Sequence, residues 1–172
     1  MRLIHDTNII STSSSGYRDC LQQQRPLVSL LSADIFLLVI AHPDDECMFF
    51  IPTIVNLIST TQSVFHILCL SNGNYEGLGK QREKELHNAV RTLGLDTHQV
   101  TVLTDFQDNP LLDWNDQLLS DCIYRHILYI LSVLQGSVAA PSKEGQHLKT
   151  LTILTFDSKG VSGHRNHCST YR

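Results

Sequence analysis

The sequence predicts an α/β protein with a parallel β-sheet and helices on both faces of that sheet. Short apolar runs of strand length alternate along the chain with longer stretches of helical character. Such alternation is typical of strand–helix–strand units, which build parallel sheets. In addition, the polar cluster HPDDE directly follows the first apolar run, and HRNH lies a short loop after the fourth. Ligands of open parallel sheets bind outside the carboxyl ends of the strands, so the two clusters are candidates for one functional site.

The first strand–helix–strand unit precedes the glycine-rich part of the chain. Residues 35–41 (IFLLVIA) and 64–71 (VFHILCLS) are continuous apolar runs, which favour strands buried on both faces. Residues 47–59 (CMFFIPTIVNLIS) have helical character between them. Pro52 falls near the first turns of this helix, where a missing backbone N–H is tolerated best.

A glycine-rich loop and an amphipathic helix come next. Residues 72–79 (NGNYEGLG) lack the spacing of a phosphate-binding loop, and they are equally compatible with a substrate-binding loop and with a plain connection. In residues 80–94, Leu86 and Val90 recur at helical spacing, and Gly94 is placed to end the helix.

The rest of the chain supplies two more strands and one long helix. Residues 98–104 (HQVTVLT) and 150–156 (TLTILTF) have strand character, and residues 116–136 have the character of a helix. Together these elements predict one domain over residues 35–172. Residues 1–34 are polar, rich in Ser and Gln, and without sustained periodicity, so we expect a poorly ordered N-terminal segment there.

Composition and charge narrow the class of protein. A chain of 172 residues is long enough for one domain with a real core. The formal net charge is −4 and no basic patch stands out, which argues against nucleic acid as a partner. Five cysteines without a CxxC pair favour reduced thiols over a disulfide framework. We find neither a signal-peptide pattern nor an apolar stretch of ~20 residues, the length that a membrane-spanning helix requires.

The two polar clusters contain six side chains that can bind a cation or move a proton: His42, Asp44, Asp45, Glu46, His164 and His167. Carboxylates at the edge of an apolar core need a positive partner, because burying an unpaired charge is costly. Imidazole and carboxylate together suit zinc and other first-row divalent ions. Two histidines and one aspartate would then bind the ion, and the other aspartate would act as general base on the attacking water. The spacing does not tell which aspartate has which role.

Each of these residues also has a simpler interpretation. His42 could be an ordinary histidine at a strand end, and one aspartate could be the N-cap of the following helix. His164 and His167 could be the solvated start of a helix. The metal interpretation is favoured because it explains all of these features at once. The other histidines have no clustered partners, and His66, inside an apolar strand, is interpreted as a core residue.

Four motifs resemble a known family: AHPDDECMFF, SNGNYEGLGKQREKELHNAVRTLGL, DNPLLDWN and LTFDSKGVSGHRNH. They resemble the N-acetylglucosaminyl-phosphatidylinositol de-N-acetylases, a branch of the LmbE-like zinc deacetylase superfamily, over roughly residues 35–172. The resemblance implies a Rossmann-like fold and hydrolysis of the substrate's acetamide with Zn²⁺ or another divalent metal, a step in the synthesis of glycosylphosphatidylinositol anchors. It also implies a glycolipid substrate presented at a membrane surface, on the cytosolic face of the endoplasmic reticulum.

The resemblance further implies a role for each site residue. His42, Asp45 and His167 would be the metal ligands. Asp44 would be the general base, and His164 would stabilise the oxyanion of the tetrahedral intermediate. Arg82 matches an arginine common in the family and is a substrate-binding candidate, with a solvated charge on a helix face as the alternative.

Two features depart from the family pattern. Family members typically begin with a membrane-spanning helix, which residues 1–33 do not supply, and they continue well beyond the second histidine motif. This chain ends five residues after His167, so we expect that the C-terminal part of the fold is missing. Two alternatives therefore stay open: a deacetylase of a soluble N-acetylglucosaminyl conjugate, and an inactive truncated form.

Overall fold

The structure, a computed structural model, describes residues 2–3, 33–136 and 150–172. Its strands are β1 (Arg2–Leu3), β2 (Ile35–Ile40), β3 (Val64–Cys69), β4 (Val100–Val102) and β5 (Leu151–Leu154). Its α-helices are α1 (Ile51–Thr60), α2 (Gly79–Thr92), α3 (Asp116–Gly136), α4 (Gly160–Gly163) and α5 (Arg165–Ser169). A π-helical turn, Glu46–Phe50, leads directly into α1, and 3-10 turns lie at Asn74–Glu76 and Thr97–Gln99.

The strands form one parallel sheet in the order β1-β5-β2-β3-β4. β2 lies at the centre and pairs with β3 over its whole length, from Ile35 opposite Val64 to Ile40 opposite Cys69. Because β2 is covered on both faces and both edges, all six of its residues are fully buried. The parallel sheet is thereby confirmed, and the carboxyl ends of β2, β3, β4 and β5 meet at a single edge.

Helices cover both faces of the sheet, as the alternation of elements predicted. On one face, Ile54 of α1 and Leu86 of α2 pack against the side chains of Phe36 and Ile67. On the other face, α3 packs with the neighbouring side chains of the same strands, among them Leu37, Val39, Leu68 and Ile153. Successive residues of a strand point to opposite faces, which is why one continuous apolar run serves two cores.

The predicted elements are confirmed, with shorter strands than the apolar runs indicated. β3 ends at Cys69 and β5 at Leu154, so the last residues of both runs belong to the loops that build the edge. The segment before β4 forms a 3-10 turn closed by a capping box between Asp96 and Gln99. Gly94 ends α2 as predicted: its φ is +85°, and the N–H of Leu95 donates to the carbonyl of Val90.

In the N-terminal segment, Arg2–Leu3 forms a short strand beside β5. This pairing was not predicted, because two residues carry no detectable periodicity. Residues 4–32 lie outside the described part of the chain, as do residues 137–149. Among the helices of the described ranges, none combines the length and the apolar character needed to cross a membrane.

Candidate active site

His42 and Asp45 are positioned by the turn that follows β2. The chain folds back after Ala41, so that the backbone N–H groups of Ala41 and His42 donate to Oδ2 of Asp45 at 3.0 and 2.9 Å. Asp45 is 1% exposed, and these two hydrogen bonds fix the orientation of its carboxyl group inside the protein. The turn therefore places a buried carboxylate beside the ring of His42.

His167 reaches the same point from α5, after the loop that follows β5. The carbonyl of Gly160 accepts a hydrogen bond from Nδ1 of His167 at 2.9 Å, so the lone pair of His167 is at Nε2. This approach needs a glycine, because a Cβ at residue 160 would lie 2.6 Å from the backbone nitrogen of Cys168. Nε2 of His167 lies 3.1 Å from Oδ1 of Asp45 and 3.3 Å from Nδ1 of His42.

The other nitrogen of His42 is held by two acceptors. Nε2 lies 3.1 Å from Oδ1 of Asp108 and 3.1 Å from Oδ1 of Asn166. The amide oxygen of Asn166 acts as the acceptor because it also receives the backbone N–H of Asn109, while its Nδ2 donates to the carbonyl of Leu112. His42 therefore carries its proton on Nε2 and presents an unprotonated Nδ1 to His167 and Asp45.

The donor atoms of His42, Asp45 and His167 have the spacing of a metal site. Nδ1 of His42, Nε2 of His167 and the Asp45 carboxylate oxygens lie 3.1 to 3.9 Å from one another. Bonds of about 2.0–2.1 Å in tetrahedral geometry separate ligand atoms by about 3.3 Å. Two lone pairs and one buried carboxylate at these distances would be satisfied by a divalent cation, so the chemistry of the donor set fits the predicted metal.

His164 adds a third imidazole beside these donors. A ring nitrogen from each of His42, His164 and His167 lies within 4.8 Å of the others. Nδ1 of His164 is buried and has no hydrogen-bond partner among the described residues. Burial lowers the pKa of His164, and the neighbouring rings of His42 and His167 lower it further. His164 is therefore neutral at pH 7 and keeps a polar atom free for a ligand.

Asp44 differs from Asp45 in its exposure. Its backbone φ is +105°, which turns the side chain out of the turn, and the side chain is 53% exposed. Oδ2 of Asp44 accepts a hydrogen bond of 2.8 Å from Arg82. Burial raises the pKa of Asp44, and the charge of Arg82 partly offsets this effect. The structure thus separates the two aspartates, one buried among the donor atoms and one facing the cleft.

Glu46 does not join the donor atoms with which the sequence grouped it. Its Oε2 accepts the backbone N–H of Asp44, and its Oε1 accepts the thiol of Cys47. Burial raises the pKa of this carboxyl group, which is 1% exposed. Glu46 therefore stabilises the turn that contains Asp44, whereas neighbouring residues face the cleft.

Arg82 lies inside the site and is not a solvated charge on a helix face. Besides Asp44, its guanidinium donates to the carbonyls of Gly73 and Pro43 at 3.0 and 2.8 Å, and it lies 3.6 Å from Asp108. Gly73 has a φ of +68°, and a Cβ there would lie 2.4 Å from Nη1 of Arg82. The glycine-rich loop is therefore part of the site, since its backbone holds the arginine.

A cleft of about 470 Å³ opens beside these residues. It is lined by Asp44, Gly73, Tyr75, Glu76, Leu78, Arg82, Glu85, Asp108, Pro110 and His164. This volume is within the range typical of sites for small molecules. The cleft brings several carboxylates, among them that of Asp44, together with the guanidinium of Arg82 and the neutral imidazole of His164.

The residues to which the family resemblance assigns a role meet at the carboxyl edge: His42, Asp44, Asp45, Arg82, His164 and His167. Sequence reasoning missed Asp108 and Asn166. Both side chains contact His42, whose partners could not be identified without coordinates. One signal was present: Asp108 lies in the loop after a predicted strand, at the edge where the other candidates were expected. Asn166 lies between the two predicted histidines, and no sequence pattern indicated that it belongs to the site.

The chain is similar to known proteins in sequence and in fold. Residues 37–172 match the family described as PIG-L, GlcNAc-PI de-N-acetylase. A probable N-acetylglucosaminyl-phosphatidylinositol de-N-acetylase of Schizosaccharomyces pombe is 41% identical over 143 residues, which are 82% of this chain and 50% of the relative. The Bos taurus N-acetylglucosaminyl-phosphatidylinositol de-N-acetylase is 38% identical over 133 residues, 76% of this chain and 45% of the relative. This chain thus spans about half the length of these curated relatives.

The fold also resembles a solved structure. N,N'-diacetylchitobiose deacetylase from Pyrococcus horikoshii, complexed with an inhibitor, superimposes with a TM-score of 0.55 at 18% sequence identity. The match covers 95% of this chain and 57% of that protein. Fold and site together define an α/β protein with a histidine–carboxylate centre at the carboxyl edge of a parallel sheet. Within that class, the chain belongs to the PIG-L family of GlcNAc-PI de-N-acetylases.

Proposed function

We propose that this chain forms the catalytic core of a zinc-dependent amide hydrolase that removes the acetyl group from N-acetylglucosaminyl-phosphatidylinositol. One observation carries the proposal: Nδ1 of His42, Nε2 of His167 and the carboxylate of Asp45 converge within 3.1 to 3.9 Å beside a cleft that contains a second carboxylate. Such a donor set with an adjacent base is what hydrolysis of an unreactive amide requires.

His42, Asp45 and His167 would hold the metal. Zinc bound there would polarise the amide carbonyl and lower the pKa of a water molecule toward about 7. The protein prepares these ligands by orienting them before any ion arrives. Asp108 and Asn166 fix the proton of His42 on Nε2, and the Gly160 carbonyl fixes that of His167 on Nδ1.

Asp44 would act as the general base. Its carboxylate faces the cleft, and Arg82 holds one oxygen at 2.8 Å, which leaves the other free to accept a proton from the attacking water. Burial raises the pKa of Asp44, which strengthens it as a base, and the charge of Arg82 opposes this shift. Arg82 would therefore position the base and limit its pKa shift.

His164 would stabilise the charge that develops on the carbonyl oxygen. Its ring is neutral at pH 7, lines the cleft and has an unpartnered nitrogen, so it can donate one hydrogen bond to that oxygen. The water oxygen bonds to the carbonyl carbon, and the carbon–nitrogen bond then breaks. The amine nitrogen takes the proton from Asp44, so a free glucosaminyl amine and acetic acid leave, and the acid becomes acetate by releasing its proton to water.

The substrate and location follow the relatives. Curated relatives at 36 to 41% identity are named as de-N-acetylases of N-acetylglucosaminyl-phosphatidylinositol, which is a membrane glycolipid. We therefore propose that the glucosamine ring enters the cleft while the lipid stays in a membrane, at the cytosolic face of the endoplasmic reticulum.

The test measures release of free amine by the zinc-loaded chain from two substrates, N-acetylglucosaminyl-phosphatidylinositol and a soluble N-acetylglucosaminyl conjugate. We expect turnover of the glycolipid, a loss of at least about 100-fold in the Asp44→Asn variant, and little change in an Asp105→Asn control, since Asp105 is an exposed carboxylate in a loop of the same edge. A preference for the soluble conjugate would show that the proposed glycolipid is not the substrate. Absence of turnover on both substrates, with zinc bound, would mean that a chain of this extent is inactive.

A further inference from the structure

The cleft beside the proposed metal centre has more negative than positive side chains in its lining. Its carboxylates are those of Asp44, Glu76, Glu85 and Asp108, and among the described lining residues Arg82 alone has a fixed positive charge. A divalent cation bound by one carboxylate and neutral imidazoles would add a single net positive charge, so the cleft would stay negative with the ion bound. A negative cleft repels an anionic ligand and accepts hydrogen bonds from a neutral one.

Arg82 is already engaged by the protein. Its guanidinium donates to the carbonyls of Gly73 and Pro43 and to Oδ2 of Asp44, at 3.0, 2.8 and 2.8 Å. It also lies 3.6 Å from Asp108, so two carboxylates offset its charge. An anionic group of a ligand would have to displace Asp44 in order to pair with Arg82.

Glu76 and Glu85 are the carboxylates of the cleft that no cation offsets. Both side chains are exposed, and neither forms an ion pair with a described residue. Oε1 of Glu85 accepts a hydrogen bond of 2.8 Å from Gln81, one turn earlier in α2, and its Oε2 is left without a donor from the described residues. The bond from Gln81 holds Glu85 in place, so a ligand meets an oriented acceptor there.

The lysines of α2 do not change the charge of the cleft. Lys80 and Lys84 flank Arg82 in sequence, but neither lines the cleft. Neither lysine forms an ion pair with a carboxylate of the described residues. The negative charge of Glu85 is therefore available to a ligand.

The remaining lining of the cleft is apolar. Tyr75, Leu78 and Pro110 contribute to it, and Tyr75 is 62% exposed. The backbone N–H of Tyr75 donates to Oδ2 of Asp108 at 3.2 Å, which attaches the glycine-rich loop to the loop after β4. An aromatic ring and apolar side chains beside hydrogen-bond acceptors suit a neutral ring that has C–H groups on its faces and hydroxyl groups at its edge.

We propose that Glu85 is a specificity-determining residue of this cleft: its free oxygen accepts a hydrogen bond from a hydroxyl group of an uncharged sugar or inositol ring, and its charge excludes anionic rings. The inference rests on the proposed function, in which the cleft takes the N-acetylglucosamine ring of a glycolipid. It adds that the phosphodiester of that glycolipid stays outside the cleft, where it does not meet Glu76 and Glu85.

The test compares two soluble ligands, glucosyl-inositol and glucuronosyl-inositol. They share one ring skeleton and differ by a carboxylate, and because both lack an acetamide, deacetylation does not consume them. Ligand-detected nuclear magnetic resonance with the full 172-residue chain gives both dissociation constants. We expect the neutral ligand to bind at least about tenfold more tightly than the anionic one.

The variant Glu85→Gln removes the charge and keeps the size of the side chain. We expect it to weaken binding of the neutral ligand about tenfold, because an amide is a weaker acceptor than a carboxylate, and to lessen the preference for that ligand. The matched control is Glu83→Gln, also on α2. Glu83 accepts a hydrogen bond of 2.9 Å from Asn72 and does not line the cleft, so both dissociation constants should stay unchanged.

Three results would overturn the proposal: equal affinities of the unsubstituted chain for the two ligands, unchanged affinities in Glu85→Gln, or an equal loss in Glu83→Gln. Circular dichroism checks the fold of each variant, and Glu85→Ala replaces Glu85→Gln if the amide is not tolerated. Hydrolysis of N-acetylglucosaminyl-phosphatidylinositol is measured in parallel. Hydrolysis with the same KM and kcat in Glu85→Gln overturns the role of Glu85 alone, whereas selective binding of the neutral ligand without any hydrolysis supports that role and overturns the proposed function.

Discussion

At the scale of single residues, the site depends on which ring nitrogen of each histidine carries the proton. Gly160 holds the proton of His167 on Nδ1, and Asp108 together with Asn166 holds that of His42 on Nε2. The two free nitrogens then face each other at 3.3 Å, close to the carboxylate of Asp45. Burial would lower the pKa of His167, but the hydrogen bond and charge of Asp45 outweigh burial and raise it.

We predict that Asp108→Ala weakens zinc binding by about 10- to 100-fold, because the acceptor that orients His42 is lost. Asp108→Asn should weaken zinc binding less, since its amide oxygen can still accept a hydrogen bond from Nε2 of His42. Competition with a chromophoric chelator measures the affinity. Asp113→Asn is the control, because Asp113 lies in the same loop but pairs with Arg165. Equal affinities for all four proteins would show that Asp108 does not prepare His42.

Two glycines lie in the same loop, and substituting each of them distinguishes the cost of backbone strain from the loss of the contact with Arg82. Gly73 and Gly77 have φ of +68° and +79°, but only at Gly73 would a Cβ meet another group, the guanidinium of Arg82. We predict that Gly77→Ala lowers the free energy of unfolding by about 1–2 kcal/mol, the cost of a left-handed alanine. Gly73→Ala should lower the free energy of unfolding by the same amount, and it should also displace Arg82 from Asp44. Urea unfolding gives the stabilities, and identical losses of stability and of activity in both variants would contradict the assignment.

At the scale of elements, a five-residue helix carries most of the second polar cluster. A helix as short as α5 is unstable alone, so tertiary bonds must hold it. Asn166 bonds to the backbone of Asn109 and Leu112, and Oγ of Ser169 accepts the N–H of Trp114. The loop after β4 therefore fixes α5, and with it His167, against the end of β2.

β3 contains a buried histidine that makes stability depend on pH. His66 is 8% exposed, as expected of a core residue, and burial lowers its pKa from 6.5 to about 4, with further lowering by His126 and His98. The unfolded chain then binds a proton at a higher pH than the native one, so stability is complete above pH 6.5 and declines as the pH falls toward 4.

We predict that His66 accounts for a loss of about 2 kcal/mol in the free energy of unfolding between pH 7 and pH 5. The variant His66→Leu should lack this part of the pH dependence, because leucine takes up no proton. Urea unfolding at both pH values, with and without the substitution, measures the difference. If the variant loses as much stability as the unsubstituted chain, another group is responsible.

At the scale of the whole molecule, the proposed metal joins the loops at the ends of two strands. His42 and Asp45 follow β2, and His167 follows β5, so 121 residues of chain lie between Asp45 and His167. An ion that binds only the folded arrangement stabilises the entire domain by mass action. It also neutralises charge between the two loops.

We therefore predict that excess zinc raises the thermal midpoint of the chain, with a gain of about 2.7 kcal/mol when free zinc is 100 times the dissociation constant. This increase in the midpoint should become smaller as the pH falls. The pKa of His167 is raised, so protons compete with zinc for its free ring nitrogen. Asp45→Asn should abolish the shift, and the surface variant Asp113→Asn should retain it. If zinc does not change the thermal midpoint of the unsubstituted chain, the proposed metal centre is excluded.

Local patterns in the sequence predicted much of this molecule. Continuous apolar runs predicted the strands, helical spacing predicted the helices, and Gly94 predicted the end of α2, because burial and backbone geometry act over a few residues. The order of strand–helix units predicted a parallel sheet, and the sheet predicted that two distant polar clusters meet. The motifs themselves pointed to the PIG-L family, which the comparisons confirm.

The sequence by itself determined the elements, the parallel sheet and the residue types at its carboxyl edge. Only the tertiary structure decided that Asp45 is buried among the donor atoms while Asp44 faces the cleft, and that Asp108 and Asn166 orient His42. The physical reason is that exposure and proton position depend on contacts between residues far apart in the chain, which no local pattern records.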